Sequence, residues 1–316
     1  MAALTALSPR TRAVLGAIGG AAVLGATIAT VGTSAFLRGL AALSPATIAI
    51  AVVLAATATA AAAWRWRTVA SGLGLELSFF AAAAAYYRSQ FLNTVLPGGV
   101  IGDVHRAYRH GRRAGRVALA ARAVAMERIA GQFVQFALVA LVLGALGVTS
   151  PLQGVAWVVG CAGAVLVIAF GVLAATARGR AMLLRESIAL RAVFSSPRRS
   201  LEILVSSVIV VGSHATTFVV ACLAVGVRAT PRELVALALV ALTAGSIPLS
   251  LGGWGPREAG SAAAFTLTGL GAAAGLAAST AFGVLTMIAL LPGAAVLVAD
   301  RVRPRPVITV RKETTA

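Results

Sequence analysis

The sequence predicts an all-α polytopic membrane protein, with six transmembrane helices plus two re-entrant broken segments, or eight crossings. Three observations carry this. Hydrophobic residues make up 59% of the chain and charged residues only 11%, with a mean hydropathy of +0.93; a soluble surface of this size needs far more charge. Apolar stretches of about 18 residues or more recur from end to end, each long enough to cross the hydrocarbon core. Finally, the basic residues alternate with those stretches. Of 27 basic residues, 22 fall in five clusters, and only Lys312 is lysine. The pattern places the clusters, and both termini, in the cytoplasm by the positive-inside rule. It also argues against nucleic acid as a partner, because the arginines line short loops instead of a folded basic domain.

The elements follow in order. Residues 13–31 form a first span behind Arg10 and Arg12. A cleaved signal peptide, with small residues near Ala26–Ala29, is the weaker reading because further spans follow. Residues 46–63 cross back, ending at Arg65 and Arg67. Segment 79–97 enters from the same side and runs into Leu96-Pro97-Gly98-Gly99-Val100-Ile101-Gly102-Asp103. Proline and glycine break a helix there, and such backbone survives at membrane depth only inside protein or against a wet cavity. The seven arginines within 106–128 return the chain to the basic side, and Glu127 and Arg128 read as an interfacial anchor pair opening a span at 129–147.

Residues 154–175 and 201–226 are the next spans, separated by six arginines within 178–199. Cys161 and Cys222 lie inside them without metal-ligand spacing and read as packing residues. His214, alone in its span, reads as a hydrogen-bonded core histidine. Segment 233–251 ends in a second break, Ile247-Pro248-Leu249-Ser250-Leu251-Gly252-Gly253-Trp254-Gly255-Pro256-Arg257-Glu258. With 259–272 it forms either a re-entrant hairpin or two full crossings; the shortness of 259–272 favours the hairpin. A last span, 277–299, leads to a basic tail at 301–316.

The hairpin reading makes residues 13–147 and 154–299 two pseudo-repeats of opposite orientation within one integral membrane domain, 1–316. Each break carries proline, a Gly-Gly pair, another glycine and then an acidic residue: Pro97, Gly98, Gly99, Gly102 and Asp103 in the first, Pro248, Gly252, Gly253, Gly255 and Glu258 in the second. Paired broken helices in inverted halves point to transport, with the site where the breaks meet.

Ionisable residues within membrane segments are costly and draw functional attention. Arg88 interrupts an apolar run, and around it Tyr86, Gln90, Asn93, Thr94 and Pro97 recur at helical spacing as a polar stripe. Arg88, Arg106 and Arg257 are the candidate phosphate contacts, because a guanidinium matches phosphate oxygens bidentately. Asn93, Asp103 and Glu258 complete the candidate substrate-binding set. Asp103 and Glu258 could hold the arginines or meet a cationic headgroup. A purely structural set of ion pairs is the competing reading, and both can hold. Arg257 needs a carboxylate in the resting protein, either Asp103 across the pseudo-symmetric interface or Glu258. Neighbours on a helix point about 100° apart, so a pairing of Arg257 with Glu258 is not expected.

The stretch FLNTVLPGGVIGDVHRAY (91–108), Met126-Glu127-Arg128-Ile129-Ala130-Gly131 and IPLSLGGWGPREAG (247–260) together resemble the lysylphosphatidylglycerol synthase transmembrane-region family, also called flippase-like. The resemblance spans roughly 13–300. Two positions depart from it: Glu127 stands where aspartate is common, and His105 precedes Arg106 where a less polar residue is expected. The resemblance implies a membrane domain that, in multidomain members, moves aminoacylated phosphatidylglycerol between leaflets. Those members add a soluble aminoacyltransferase domain. This chain ends sixteen residues after Asp300, so no such domain is expected, nor synthesis of lysyl-lipid by this chain alone.

The expected function is therefore flippase-like translocation of an anionic phospholipid or lipid-linked headgroup across a bacterial inner membrane, more a transporter than an enzyme. No catalytic residue, metal or other cofactor is expected. A membrane-embedded transferase acting on a lipid-linked sugar or phospholipid, with Asp103 or Glu258 as base, is the rival from another class, and a non-transporting accessory subunit is a third. The bilayer is the one certain partner. A homo-oligomer or a separate synthase partner is compatible with the sequence.

Overall fold

A computed structural model describes residues 33–96, 99–145, 176–246 and 254–302. The expected spans at 13–31 and 154–175, the tail beyond 302, and Pro97, Gly98, Pro248, Gly252, Gly253 and Cys161 lie outside the described residues. The described helices are α1 (Thr33–Ala41), α2 (Pro45–Gly72), α3 (Phe79–Val95), α4 (Ile101–Arg113), α5 (Val117–Ala145), α6 (Ala177–Phe194), α7 (Pro197–Ala224), α8 (Pro231–Gly245), α9 (Pro256–Leu267), α10 (Ala272–Ala289) and α11 (Leu291–Val302). The protein is an all-α, multi-pass membrane bundle.

Length separates two kinds of helix. α2, α5 and α7 have 28, 29 and 28 residues, or about 42 Å at 1.5 Å per residue, against a hydrocarbon core of about 30 Å. α10 and α11 together form a fourth candidate span, Ala272–Asp300, interrupted where Pro292 lacks an amide donor. The arms of the broken segments are shorter. α3 has 17 residues and α4 13; α8 has 15 and α9 12. The 12 residues of α9 reach only about 18 Å, so two full crossings by α8 and α9 would leave α9 far short of the core thickness.

Helix starts are written locally. Ser44 caps α2: its hydroxyl accepts from the Thr47 amide at 3.2 Å, the Ser44 amide donates to Thr47 Oγ1 at 2.9 Å, and Pro45 fills the first turn. Thr230 and Glu233 cap α8 in the same reciprocal way.

Two boundaries expected from hydropathy move. α5 starts at Val117, well before 129, and α2 runs through Trp64, Arg65, Trp66 and Arg67 to Gly72. Arg65, Glu127 and Arg128, charges at which the apolar runs end, are held by partners described below, so the helices continue through them. Stretches expected as basic loops also contain helices, α4 and α6.

Among the described helices, the most extensive packing joins α2 to α7. The main apolar core lies among α5, α7, α8, α9 and α10, where the Phe218 and Phe282 rings sit 5.6 Å apart over buried Leu237 and Phe265. Outward, Ile129, Phe133 and Leu141 of α5 are largely exposed, four and eight residues apart on one face, as a lipid-facing helix requires.

Small residues set the close approaches. A Cβ on Gly102 would lie 2.0 Å from the Ser89 carbonyl oxygen, so α4 can fold back on α3 only with hydrogen there. On the other hairpin, a Cβ on Gly260 would meet Ala244 Cβ at 2.5 Å.

Candidate functional site

The first break is closed by side chains of α3. Val100, which precedes α4, offers no side-chain cap, and Asn93 supplies one from the neighbouring arm: its Oδ1 accepts from the Gly102 amide at 2.7 Å, while its Nδ2 donates to Asp103 Oδ2 at 3.0 Å. Asp103 lies in the first turn of α4, where the helix dipole favours negative charge. It also accepts from Ser89 Oγ at 3.2 Å and Arg106 Nε at 2.9 Å, and it pairs with Arg128.

From Arg106 the network runs inward. Arg106 is buried against the Tyr86 and Trp66 rings, 4.3 and 4.8 Å from their centroids, and donates to Glu127 Oε2 at 2.7 Å. Glu127 Oε1 accepts from Arg65 Nε at 2.8 Å and from the Tyr86 hydroxyl at 2.9 Å. Arg65 completes its fork on Ser207 Oγ of α7 at 3.0 Å. Glu127 is fully buried between two guanidiniums. The expected anchor role of Glu127 is thus overturned: this residue joins α2, α3, α4 and α5 in the interior. Arg128, with a side chain 46% exposed, is the more open of the two neighbours.

The second break is more self-contained. Gly255 takes φ = 99°, which an L side chain rarely adopts, and its amide donates to Glu258 Oε2 at 2.6 Å. Arg257 donates to Glu258 Oε1 through its terminal nitrogen at 2.7 Å, and to Ser279 Oγ of α10 through Nε at 3.0 Å. Its guanidinium lies over Trp254 and Phe282, 5.2 and 5.0 Å from the ring centroids. Arg257 and Glu258 therefore do pair, against expectation, and Asp103 is occupied elsewhere. The 100° between neighbours is overcome because Glu258 turns back to cap its own helix and the long arginine side chain follows it.

A cavity of about 490 Å³ lies where the two breaks come together. Gly99 and Val100 line it from the first break; Gly245, Ser246 and Arg257 line it from the second. Tyr86, Gln90, Asn93 and Thr94, the polar stripe of α3, face it. Arg65, Arg128 and the half-buried His214 add to Arg257, and no carboxylate is among the lining residues described. The wall is cationic and amide-rich, and the carboxylates Glu127 and Glu258 stand behind it, fixing Arg65 and Arg257. Two glycines make room for those guanidiniums: a Cβ on Gly131 would lie 2.9 Å from an Arg65 terminal nitrogen, and one on Gly283 2.5 Å from that of Arg257.

Of the sequence candidates, Asn93 and Arg257 line the cavity, while Asp103 and Glu258 hold residues that do. Arg106 is buried in the network behind it. Arg88, two residues from both Tyr86 and Gln90 on α3, points to the other side of the helix and pairs with Asp300 of α11, which Arg109 also meets at 2.8 Å. Arg65 and Arg128 are the cavity cations that sequence reasoning missed. Their signal was present: Arg65, and Arg128 beside Glu127, sit within long, strongly apolar helices, and intramembrane ionisable residues seldom lack a partner.

This constellation can hold an anion by charge and by hydrogen bonds from guanidinium and amide donors. The profile of the family described as Lysylphosphatidylglycerol synthase TM region matches residues 13–293 of the chain. No curated protein and no solved structure matches it.

Proposed function

The chain belongs to the lysylphosphatidylglycerol synthase transmembrane-region family, which makes it a membrane protein linked to lipid metabolism, and from that premise we propose that it moves an anionic phospholipid or lipid-linked phosphate between leaflets. The single observation behind this reading is the cavity between the breaks, walled by Arg65, Arg128 and Arg257 with no carboxylate among its described lining residues. A phosphate entering it would meet forked donors already ordered by Glu127 and Glu258, which lowers the cost of organising the site. The helix order supports two related halves: a long helix, a broken pair and a further span occur at α2 to α5 and again at α7 to α11. In the proposed topology the hairpins enter a bacterial inner membrane from opposite faces, with both termini cytoplasmic.

The transferase reading is weaker because both candidate bases are engaged. Asp103 is held by Ser89, Asn93, Arg106 and Arg128, and Glu258 by Gly255, Arg257 and Ser279.

The test is leaflet redistribution of acyl-labelled lipids in vesicles reconstituted with the purified chain, read with an impermeant reductant. Phosphatidylglycerol should move faster than phosphatidylcholine. Arg257→Lys keeps the charge but loses the fork, so it should insert and fold normally and lose most of that movement. Equal movement of both lipids, or a stable and fully active Arg257→Lys protein, would overturn the assignment.

A further inference from the structure

A second basic hollow lies at the other face of α2. The run Trp64-Arg65-Trp66-Arg67 distributes its residues around the helix: Arg65 and Trp66 are buried inside the bundle, whereas Trp64 and Arg67 face out. There, Trp64, Arg67 and Ser71 meet Arg198 and Arg199 of α7 around a space of about 200 Å³. None of these residues lines the central cavity.

The charge of this hollow is unbalanced. Glu202 is its only carboxylate among the described lining residues, and it accepts from Arg198 Nε at 3.1 Å and from Thr68 Oγ1 at 3.0 Å. Arg199 donates to the Ala192 carbonyl at 2.7 Å. Arg67 rests over the Trp64 ring, 5.6 Å from its centroid, and has no ion pair among the described residues. The hollow thus presents three guanidiniums against one carboxylate, with the Ser71 hydroxyl beside them. Its volume suits a phosphate mono- or diester and is too small for a whole lipid.

What lies next to it selects the source of that phosphate. Leu201, Val205 and Val208 are exposed on α7, three, seven and ten residues beyond Arg198 and so on the same face. They form an apolar track leading from the hollow along the lipid-facing side of the bundle. Trp64, 41% exposed, stands at the mouth, where an indole favours the boundary between headgroups and hydrocarbon. A free phosphate would use the hollow but not the track.

We propose that this hollow is a binding site for the headgroup of an anionic phospholipid from the leaflet at the basic end of the bundle, with an acyl chain lying along Leu201, Val205 and Val208. Basic pockets between membrane helices recognise phosphorylated headgroups by charge and by the arginine fork. Glu202 acts as a positioning residue that holds Arg198 over the hollow. The site is independent of the central cavity, and lipid movement across the bilayer is not required for it to be filled.

The full chain in phosphatidylcholine discs, doped with phosphatidylglycerol brominated on its acyl chains, tests this by tryptophan quenching. Trp64 should be quenched more strongly by the brominated anionic lipid than by brominated phosphatidylcholine at the same fraction. Trp64→Phe should reduce that difference to what Trp254 beside the central cavity contributes. The double variant Arg67→Gln with Arg198→Gln should lower the preference about thirtyfold, from the typical contribution of each basic residue near an anionic surface. In the unmodified protein, unlabelled phosphatidylglycerol should displace the brominated lipid, and inorganic phosphate should not. Equal quenching by the two lipids, a difference undiminished without Trp64, or an unchanged preference in the folded double variant would overturn the site. Displacement by inorganic phosphate as effective as that by lipid would overturn the lipid source.

Discussion

At the first break, Asp103 and Glu127 gather Arg65, Arg106 and Arg128 from three helices. At the second, Arg257 is met by its own neighbour Glu258 and by Ser279. Both arrangements present a guanidinium to the same cavity, but they are anchored differently. Glu127 ties α5 to α2 and α4, so its charge is part of what keeps those helices together. Glu258 serves one turn of one helix and one contact to α10. A guanidinium fixed by many partners is costly to disturb; one fixed locally can change partners when an anion arrives. The first break therefore reads as scaffold and the second as the more responsive side of the site.

That contrast can be broken by substitution. Glu127→Gln leaves buried Arg65 without a counter-charge and strips Arg106 of one of its two carboxylates, and should cost about 3–5 kcal/mol, measured by denaturation in detergent and by the yield of inserted protein. Glu258→Gln unpairs only one guanidinium and weakens one cap, so its loss should be nearer about 2 kcal/mol in the same measurement. Equal losses for the two variants would erase the distinction between scaffold and responsive site.

Gly283→Ala places a methyl 2.5 Å from an Arg257 terminal nitrogen and 2.7 Å from the Trp254 ring. The guanidinium can move away, so the stability cost should be about 1 kcal/mol, yet anionic lipid movement should fall well below that of the parent. An undiminished transport rate would show that the placement of Arg257 does not matter. The gentlest probe is labelling. Glu76→Cys and Arg228→Cys are exposed substitutions at the open ends of the two hairpins, made with Cys161→Ser and Cys222→Ser. Stability should not change, and only Arg228→Cys should react with an impermeant thiol reagent outside intact cells. Reaction of both would mean that the hairpins open to the same side.

The class of fold and the two breaks were legible because both rest on one-dimensional signals, apolar length and the Pro/Gly interruptions. Helix ends at Ser44-Pro45 and Thr230-Pro231 were equally local. The partners were not legible. Arg65 and Glu127 are 62 residues apart, and hydropathy scored each as a boundary; only the packing of α2 on α5 turns two apparent span ends into a buried pair. Arg88 was misplaced for a related reason. A stripe of polar residues predicts a polar face, and Tyr86, Gln90, Asn93 and Thr94 do face the cavity, but Arg88 lies two residues out of phase and its carboxylate, Asp300, is 212 positions away. The Arg257–Glu258 pair failed through rotamer freedom: 100° separates Cβ directions, and two long side chains can still meet.

The contact at Gly102 bears on how such a bundle can move. With the Ser89 carbonyl 2.0 Å from where a Cβ would stand, the arms of the first hairpin touch backbone to backbone. Sliding one arm along the other by a turn would bring His105 or Arg106, on the same face of α4 as Gly102, against that carbonyl. The same blockade acts at Gly260 against Ala244 on the second hairpin. Translation within a hairpin is thus forbidden by volume exclusion. Gly293 against the Tyr87 carbonyl and Gly275 against the Ser261 carbonyl rivet each hairpin in turn to the span of α10 and α11, so a motion that keeps these contacts carries hairpin and span together.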